Sequence, residues 1–470
     1  MLHRYRRYLR MAGALALAGG SLLAGGAPAA ATASISIGPM LHSKFASSRQ
    51  PLTLDECETI FTVPCYVPAQ IQTAYNEQPL FNSGVTGAGQ TIVIVDSFGS
   101  PTIKADLATF DATFGLPAPP SFKIIQPAGK VPAWDPTNSD MLGWAGETTL
   151  DVEWSHAMAP GASILLVETP VSETEGTAGF PQIVKAENYV INHHLGQVIS
   201  QSFSATEETF PSAASIYALR SAYFNALKNH VTVLAATGDA GATDYSNVAG
   251  TLLYTHPVVD WPDSDPLVTA VGGTQLSLLA TGQRTQADRV WDDSTNYALN
   301  NVFFGSPGPQ ALATSGGKST VFARPWYQDS VADVVGQSRG VPDISMSAAC
   351  SGLVNTYQSF PGQPVGWYVD CGTSEATPMF AGIVALADQV AGHSLGLINP
   401  ALYAMSAAHA PGIVDVTMGN NTVSFLQPTL VTVQGYHAGP GYDLASGVGT
   451  VNAALFVPEL AQAAGGGYGG

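Results

Sequence analysis

The sequence predicts an α/β fold with a mostly parallel central sheet that is covered by helices on both faces. Short apolar runs have the length and β-branched composition of buried strands, and helix-like segments lie between several of them. Near-continuous apolar strands that alternate with helices are typical of parallel sheets buried on both faces. No repeat period is visible in the chain. One large domain is therefore expected.

The elements follow from the apolar runs and from the residues that bound them. The strand at 91–96 ends on Asp96, and the helix at 103–114 stops at Gly115, a residue type that commonly closes helices. The remaining strands are predicted at 122–125, 163–167, 197–203, 231–236 and 267–271. The remaining helices are predicted at 144–158, 180–193 and 214–230, and a long polar insertion at 281–315.

Composition limits the kind of protein this chain can be. Of its 470 residues, 46% are hydrophobic and only 11% are charged. That apolar content can build a large core and excludes a disordered chain. The 35 acidic residues against 17 basic ones give a formal net charge of −18. Nucleic acid and anionic membranes attract clustered Lys and Arg, so neither is expected as a partner.

The beginning of the chain is typical of an export signal. Residues 1–10 carry four arginines and no acid, and the run 11–27 is apolar and built of small residues. Ala31–Ala33 fits a signal-peptidase site, so residues 1–33 are predicted to be a signal peptide. The Arg6–Arg7 pair also fits twin-arginine export, so both this route and the Sec route stay open. A secreted, extracellular protein without a membrane segment is expected.

Four cysteines form two couples that are close in sequence, Cys57 with Cys65 and Cys350 with Cys371. An even number of cysteines in an exported chain favours disulfides. Local pairing within each couple is predicted among the three possible connectivities, and free buried thiols are the alternative. No Cys-x-x-Cys spacing is present, so a zinc knuckle or a redox motif is not supported.

The strongest chemical signal is the block 371–378, Cys-Gly-Thr-Ser-Glu-Ala-Thr-Pro, which precedes an apolar run at 379–387. A serine in a glycine-containing turn at a helix start exposes its hydroxyl, and the helix N-terminus favours negative charge that develops nearby. Pro378 is predicted to fall in the first helical turn, where backbone N–H groups lack partners. Ser374 is therefore a candidate nucleophile, and a helix-capping serine is the alternative.

A serine nucleophile needs a base, and no histidine of this chain stands in a His-Gly-Thr-His-like block. Instead, Glu147 and Asp151 lie one turn apart on a predicted helix, which puts both carboxyls on one face. Two close carboxyls do not both ionise readily, so the pair is expected to share a proton. Such a pair can activate a serine at acid pH, where histidine is protonated. Two solvated surface acids are the alternative.

Asp239 stands in Thr-Gly-Asp-Ala-Gly, directly after the predicted strand 231–236. Active sites of α/β proteins gather at the carboxyl ends of such strands. A carboxyl that its surroundings keep protonated can donate a hydrogen bond to a tetrahedral oxyanion. The alternative is an aspartate in a glycine-flanked turn.

Together these blocks resemble the sedolisin family, the serine-carboxyl peptidases with a subtilisin-like three-layer α/β fold, over about residues 66–454. The family's G-T-S-x-x-x-P block is matched at 372–378, and its E-x-x-x-D helix and A-P-G-A sequel at 147–151 and 159–162. The resemblance implies four catalytic residues: Ser374 as nucleophile, Glu147 as general base, Asp151 as the residue that orients this base, and Asp239 as oxyanion donor.

The resemblance also implies one structural Ca²⁺ ion near the C-terminus. Two carboxylates and several backbone carbonyls form the oxygen shell that Ca²⁺ prefers. The implied ligands are Asp415, Val416, Gly439, Gly441 and Asp443.

Four parts of the chain are expected: a signal peptide at 1–33, a short leader or N-terminal arm without clear periodicity at 34–65, a peptidase domain with the calcium region at 66–463, and a flexible tail at 464–470. Family members usually carry a long N-terminal prodomain, and no full-length prodomain is expected at 34–65. Tyr442 stands where the family usually has Trp.

The expected function is that of a secreted, acid-acting serine endopeptidase that cleaves protein or peptide substrates as a monomer. One alternative is a non-catalytic secreted binding protein on a peptidase scaffold. Another is a His-dependent subtilisin-like peptidase, because Asp96 at the end of the first strand resembles the triad acid of that family. A glycosidase is disfavoured, since carboxyls one turn apart on one helix do not flank a sugar from opposite sides.

Overall fold

The computed structural model describes residues 42–465. The predicted signal peptide, the first part of the arm (34–41) and the end of the predicted tail (466–470) lie outside these residues.

The α-helices of the described chain are α1 (Leu54–Phe61), α2 (Pro68–Ala74), α3 (Gln78–Asn82), α4 (Ile103–Phe114), α5 (Ser139–Met158), α6 (Phe180–Asn192), α7 (Ala213–Leu219), α8 (Ser221–Asn229), α9 (Tyr297–Phe304), α10 (Ala332–Val335), α11 (Thr373–Ala391), α12 (Asn399–Ala407) and α13 (Ala453–Gly465). Short 3₁₀ helices lie at Glu207–Thr209, Trp326–Val331 and Cys350–Gly352. Within residues 42–465, no helix is long and apolar enough to cross a membrane.

The strands are β1 (His42–Ser47), β2 (Cys65–Tyr66), β3 (Thr91–Ser97), β4 (Phe122–Ile125), β5 (Ser163–Thr169), β6 (Val198–Gln201), β7 (Ala205–Thr206), β8 (Thr232–Ala236), β9 (Asp260–Trp261), β10 (Thr269–Gln275), β11 (Arg289–Val290), β12 (Gly317–Ala323), β13 (Ser338–Val341), β14 (Ile344–Ser347), β15 (Leu353–Gln358), β16 (Gly366–Cys371), β17 (Ile413–Val414), β18 (Val423–Leu426), β19 (Leu430–Val433) and β20 (Thr450–Val451).

An eight-stranded sheet forms the centre of the protein. Its order is β11-β10-β8-β6-β3-β5-β4, and β14 also pairs with β10. Every pair in this sheet is parallel except β10 with β11. The predicted mostly parallel sheet is therefore confirmed. A separate four-stranded sheet, in the order β1-β16-β15-β2, leads into α11.

Side chains of β3 alternate between two cores. Ile92 and Ile94 pack on the side of α5 and α11, whereas Val93 and Val95 pack on the side of α6 and α8. Successive strand residues point to opposite faces, so a strand buried on both faces is apolar throughout. Helices cover both faces of the sheet, as predicted.

The prediction of one helix at 214–230 is wrong, because the chain breaks at Arg220 between α7 and α8. The guanidinium of Arg220 binds Asp265 through two hydrogen bonds of 2.5 and 2.8 Å and lies over the ring of Phe224. These contacts fix Arg220 at the junction of the two helices. They depend on a partner far along the chain, so the local apolar pattern does not reveal the break.

The segment 42–65 is more regular than its sequence suggests. Helix α1 begins with a capping box, in which Thr53 and Glu56 satisfy each other's backbone N–H groups. Its inner side buries Cys57 and Phe61. The polar insertion at 281–315 likewise contains α9 and β11. In both segments the regular elements are short and are stabilised by contacts with distant parts of the chain.

Both cysteine couples form disulfides, Cys57 with Cys65 and Cys350 with Cys371. The predicted local pairing is therefore confirmed. The second bond links the 3₁₀ helix after β14 to the end of β16, directly before the glycine turn that starts α11.

Candidate active site

Helix α5 carries Glu147 and Asp151 into the interior of the protein. Asn138 precedes the helix, and its side chain accepts two backbone hydrogen bonds and so caps the N-terminus. Every residue at 144–158 is buried, because α5 packs against β3, α11 and β15. The alternative of two solvated surface acids is therefore wrong.

A third carboxyl, Asp96 at the end of β3, interacts with these two. Burial raises the pKa of Glu147 and of Asp151 well above their ordinary values, and the charge of Asp96 adds to both shifts. Burial also raises the pKa of Asp96 to about 7, against a hydrogen bond with Thr148 that lowers it. Three interacting carboxyls thus hold protons at pH values where exposed acids have lost them.

Ser374 faces Glu147 from the start of α11, which packs along α5. Burial is the larger effect on the pKa of Glu147 and raises it, and the hydroxyl of Ser374 partly offsets that rise. Both carboxyl oxygens of Glu147 are buried and have no hydrogen-bond partner within the described chain. A hydroxyl and a carboxyl therefore meet without a competing partner, which is the arrangement that proton transfer requires.

Ser202, just after β6, contacts both helices. Its hydroxyl donates to Oδ1 of Asp151 at 2.7 Å and lies 3.5 Å from the carbonyl oxygen of Ser374. The prediction that Pro378 falls in the first turn is wrong, because α11 begins at Thr373 and Pro378 is one turn further in. Proline has no N–H, so the carbonyl of Ser374 lacks its usual helical donor. Ser202 lies beside that carbonyl instead.

Asp239 lies on the other side of the glycine turn. Its Oδ1 accepts hydrogen bonds from the N–H and the hydroxyl of Thr373, at 2.7 and 2.8 Å. A Cβ atom on Gly372 would lie 2.4 Å from Oδ2 of Asp239, and Gly372 has φ +127°, so only glycine permits this approach. Burial raises the pKa of Asp239 to about 7, against the two bonds from Thr373 that lower it. The carboxyl is therefore protonated at acid pH.

His42 is part of this site, although no local pattern signals it. Strand β1 is antiparallel to β16 and pairs His42 with Cys371, close to the glycine turn. Nε2 of His42 lies 3.6 Å from Oδ2 of Asp239, and its ring packs edge-on against Phe304 at 5.6 Å. Burial lowers the pKa of His42 to about 4. Pairing between strands far apart in sequence brings the imidazole here, which sequence reasoning could not detect.

The calcium ligands implied by the family resemblance come together in one loop region. The N–H of Gly441 donates to Oδ2 of Asp415 at 2.8 Å, and the N–H of Gly439 donates to Oδ2 of Asp443 at 3.1 Å. Residues 42–465 contain no group of three His, Cys, Asp or Glu side chains suited to a metal. A cation at this place would therefore need backbone carbonyl oxygens beside the two carboxylates.

The profile of the subtilase (peptidase S8) family matches residues 139–418, which include α5, the Asp239 turn and the start of α11. The chain belongs to the subtilase family. Its relatives identify it more closely as a member of the sedolisins. It is 32% identical over 393 residues to kumamolisin from Bacillus sp. (strain MN-32), covering 82% of this chain and 62% of that protein.

Two further comparisons agree with this assignment. Sedolisin from Pseudomonas sp. (strain 101) is 28% identical over 390 residues, covering 82% of this chain and 60% of that protein. The solved structure of Pseudomonas sedolisin, described as a serine-carboxyl proteinase complexed with two molecules of pseudo-iodotyrostatin, superimposes with a TM-score of 0.66 and 25% identity. That match covers 84% of this chain and 97% of the solved chain, so the subtilisin-like fold is confirmed. The chain spans less than two thirds of the length of kumamolisin and of sedolisin.

Proposed function

We propose that this sedolisin-family chain is a serine-carboxyl endopeptidase that cleaves protein or peptide substrates at acid pH. The observation that carries the proposal is the Ser374 hydroxyl beside the buried Glu147 carboxyl, whose pKa it lowers and whose oxygens have no hydrogen-bond partner among the described residues. Pseudomonas sedolisin, whose solved structure is described as that of a serine-carboxyl proteinase, supports the same reaction class.

In the first step, Oγ of Ser374 forms a bond to the carbonyl carbon of the scissile peptide and its proton passes to Glu147. Glu147 then gives that proton to the leaving amine as the C–N bond breaks, which leaves an acyl-enzyme. Water repeats the sequence to release the acid product and restore Ser374. In the reacting form the protons of the cluster lie on Asp151 and Asp96 and its one negative charge lies on Glu147, so Glu147 can accept the serine proton and the buried site never holds three negative charges.

Asp239 is the proposed oxyanion donor together with the backbone N–H of Ser374. Burial keeps this carboxyl protonated below about pH 7, and its Oδ2 accepts no hydrogen bond within the described chain. A proton on Oδ2 can therefore be donated to the oxygen on which negative charge develops. As the pH rises through the pKa of Asp239, the donor becomes an anion and repels that charge.

The experiment is a pH–rate profile of casein hydrolysis from pH 2 to 8, with the full chain and its Ser374→Ala variant. The proposal predicts an acidic maximum and the loss of activity in the variant. A maximum above neutrality, or activity that survives the Ser374 change, would refute it. Failure of Ser374 to react with a peptide aldehyde at acid pH would favour the binding-protein alternative.

We also propose secretion of a monomer. The basic and apolar start of the chain and the two disulfides support export to an oxidising compartment. Mass spectrometry of culture supernatant tests this, because an exported chain would begin near residue 34 and retain both disulfides.

The residues at the C-terminal loops fit a structural Ca²⁺ ion. Asp415 and Asp443 would supply carboxylate oxygens, and Val416, Gly439 and Gly441 would supply carbonyl oxygens. Burial raises the pKa of Asp443, against several backbone hydrogen bonds, and a bound cation would favour its ionised form. The ion would hold the two loops together and would take no part in peptide hydrolysis.

A further inference from the structure

An apolar cavity lies away from the candidate active site. It is bounded by His230 before β8, Leu267 before β10 and the turn 394–397 after α11, so it lies at the amino ends of the parallel strands. Asp239 of the candidate active site, in contrast, follows the carboxyl end of β8. Helix α11 has nineteen residues, about 28 Å at 1.5 Å per residue, and separates Ser374 from this cavity.

The cavity has the size and the lining of a small-molecule site. Its volume is about 820 Å³, within the roughly 300–1,000 Å³ of typical ligand pockets. Leucine, proline and aromatic side chains form most of its walls. Leu227 and Trp326 stand at the opening with 44% and 61% of their surface exposed. A ligand that covers them gains the free energy of burying apolar surface.

Polar groups gather at one end of this cavity. The hydroxyl of Ser394 donates to the carbonyl oxygen of His230, and Nδ1 of His393 donates to the carbonyl oxygen of Ser394 at 3.0 Å. The two imidazoles therefore belong to turns that are tied together. Among residues 42–465, no acidic residue lines the cavity, although the chain has 35 acidic residues and 17 basic ones. Histidine side chains can donate hydrogen bonds and bring no negative charge, so this end suits an anion.

We propose that the cavity binds an amphiphilic monocarboxylate, with an aliphatic or aromatic body against the leucines and its carboxylate at His230 and His393. The apolar walls favour the aliphatic or aromatic part of the ligand. Because no carboxylate of residues 42–465 lines the cavity, the negative charge of the ligand meets no like charge there. This inference does not depend on peptidase activity, since Ser374 lies at the far end of α11.

Binding is measured with the full chain at pH 5, with 1-anilinonaphthalene-8-sulfonate as the fluorescent probe and decanoate as the competitor. The probe should brighten, and decanoate should displace it. Leu227→Glu places a carboxylate at the opening and should weaken decanoate binding at least tenfold. Leu279→Glu alters a leucine that is 50% exposed outside the cavity and should change binding less than twofold. Equal losses in both variants would overturn the site.

The second measurement tests the anionic end of the cavity. Decan-1-ol has the same body without the charge, so wild type should prefer decanoate. The double variant His230→Asn, His393→Gln should lower that preference at least fivefold while leaving decanol binding within twofold. Asparagine suits position 230 because His230 has φ +55°, a left-handed conformation that asparagine tolerates. An unchanged preference would overturn the role of the histidines. Ser374→Ala should bind decanoate as wild type does.

Discussion

The imidazole Nε2 of His42 lies 3.6 Å from Oδ2 of Asp239, so a residue of the N-terminal arm meets the acid that we propose as the oxyanion donor. The contact is made by strand pairing, with β1 antiparallel to β16 beside the turn that carries Ser374. The arm therefore borders Oδ2, the atom of Asp239 from which the proposed oxyanion hydrogen bond would be donated.

Docking of the arm should weaken as the pH falls. Burial lowers the pKa of docked His42 to about 4, whereas a freed histidine titrates near 6.5. Between these values the free arm takes up a proton that the docked arm resists, so docking is lost on acidification. Asp239, with a pKa of about 7, is protonated over the same range and supplies no compensating charge.

Hydrogen exchange of residues 42–47, corrected for intrinsic rates, measures this docking. Protection should be lower at pH 3.5 than at pH 6.5, and His42→Ala should remove most of the difference. Equal protection of the wild-type arm at both pH values would contradict the expectation.

Removal of the proposed base should impair turnover more than folding. Glu147→Gln keeps the size of the side chain and removes the site that takes the proton of Ser374. We expect kcat at pH 4 to fall by about 10²- to 10⁴-fold, the usual contribution of a general base. Glu58→Gln, on the exposed side of α1, is the matched control and should retain full activity. A Glu147→Gln enzyme with wild-type kcat would exclude the role.

Replacement of the proposed oxyanion donor should change both rate and pH dependence. Asp239→Asn keeps a hydrogen-bond donor but places it less favourably, so we expect a loss of about 10²- to 10³-fold in kcat. Asparagine does not ionise, and the fall in activity near the Asp239 pKa of about 7 should therefore disappear. Profiles of kcat/KM against pH for the variant and for the exposed control Asp333→Asn measure this. If kcat/KM of Asp239→Asn still falls near pH 7, a group other than Asp239 causes that fall.

Stability should decrease as the pH rises from acid to neutral. Burial raises the pKa of Glu187 to about 8, against a hydrogen bond with Gln201 that lowers it. The folded state thus holds a proton on Glu187 that the unfolded chain releases near pH 4. The contribution of protonated Glu187 to the free energy of unfolding is therefore complete below pH 4 and is lost as the pH rises to about 8. The free energy of unfolding should fall by at most about 1.4 kcal/mol per pH unit for each such group.

The variant Glu187→Gln isolates this effect because glutamine cannot lose a proton. Urea denaturation at pH 4, 6 and 8 should give a shallower pH dependence than in wild type, with a more stable variant at pH 8. Glu58→Gln, an exposed change, should follow the wild-type curve. A Glu187→Gln curve parallel to that of wild type would contradict the expectation.

Calcium should stabilise the fold without entering the reaction. At 100 times its Kd, a ligand of the native state adds about 2.7 kcal/mol, which corresponds to a rise of several degrees in Tm. Calorimetry with Ca²⁺, with Mg²⁺ and with EDTA should show stabilisation by Ca²⁺ most of all. Asp415→Asn should abolish the shift, and the exposed change Asp329→Asn should preserve it. A shift of equal size in both variants would place the ion elsewhere.

The central sheet was predictable because its strands are buried on both faces. Runs such as the one that contains Ile92 and Ile94 have no polar interruptions, and only a sheet covered on both sides tolerates this pattern. The division of α7 from α8 was not predictable, because it rests on the pairing of Arg220 with Asp265 across the chain. The residues around Arg220 in the sequence do not indicate that Asp265 is its partner.

The candidate site was predictable only where its residues share one helix or one short motif. The spacing of Glu147 and Asp151 defines one helix face, but only tertiary packing decides whether that face meets water or Ser374. The sequence places Asp96 at the end of a predicted strand, but its effect on the pKa of Glu147 depends on the fold. His42 lies far from Asp239 along the chain, and strand pairing alone brings the two together.

The most direct test is the rate at which Ser374 is acylated by a peptide p-nitrophenyl ester at pH 4, followed by stopped flow in wild type, Glu147→Gln and His42→Ala. If a carboxyl takes the serine proton, acylation falls at least a hundredfold in Glu147→Gln and does not fall in His42→Ala. If acylation survives in Glu147→Gln and is lost in His42→Ala, an imidazole is the base and the account is wrong.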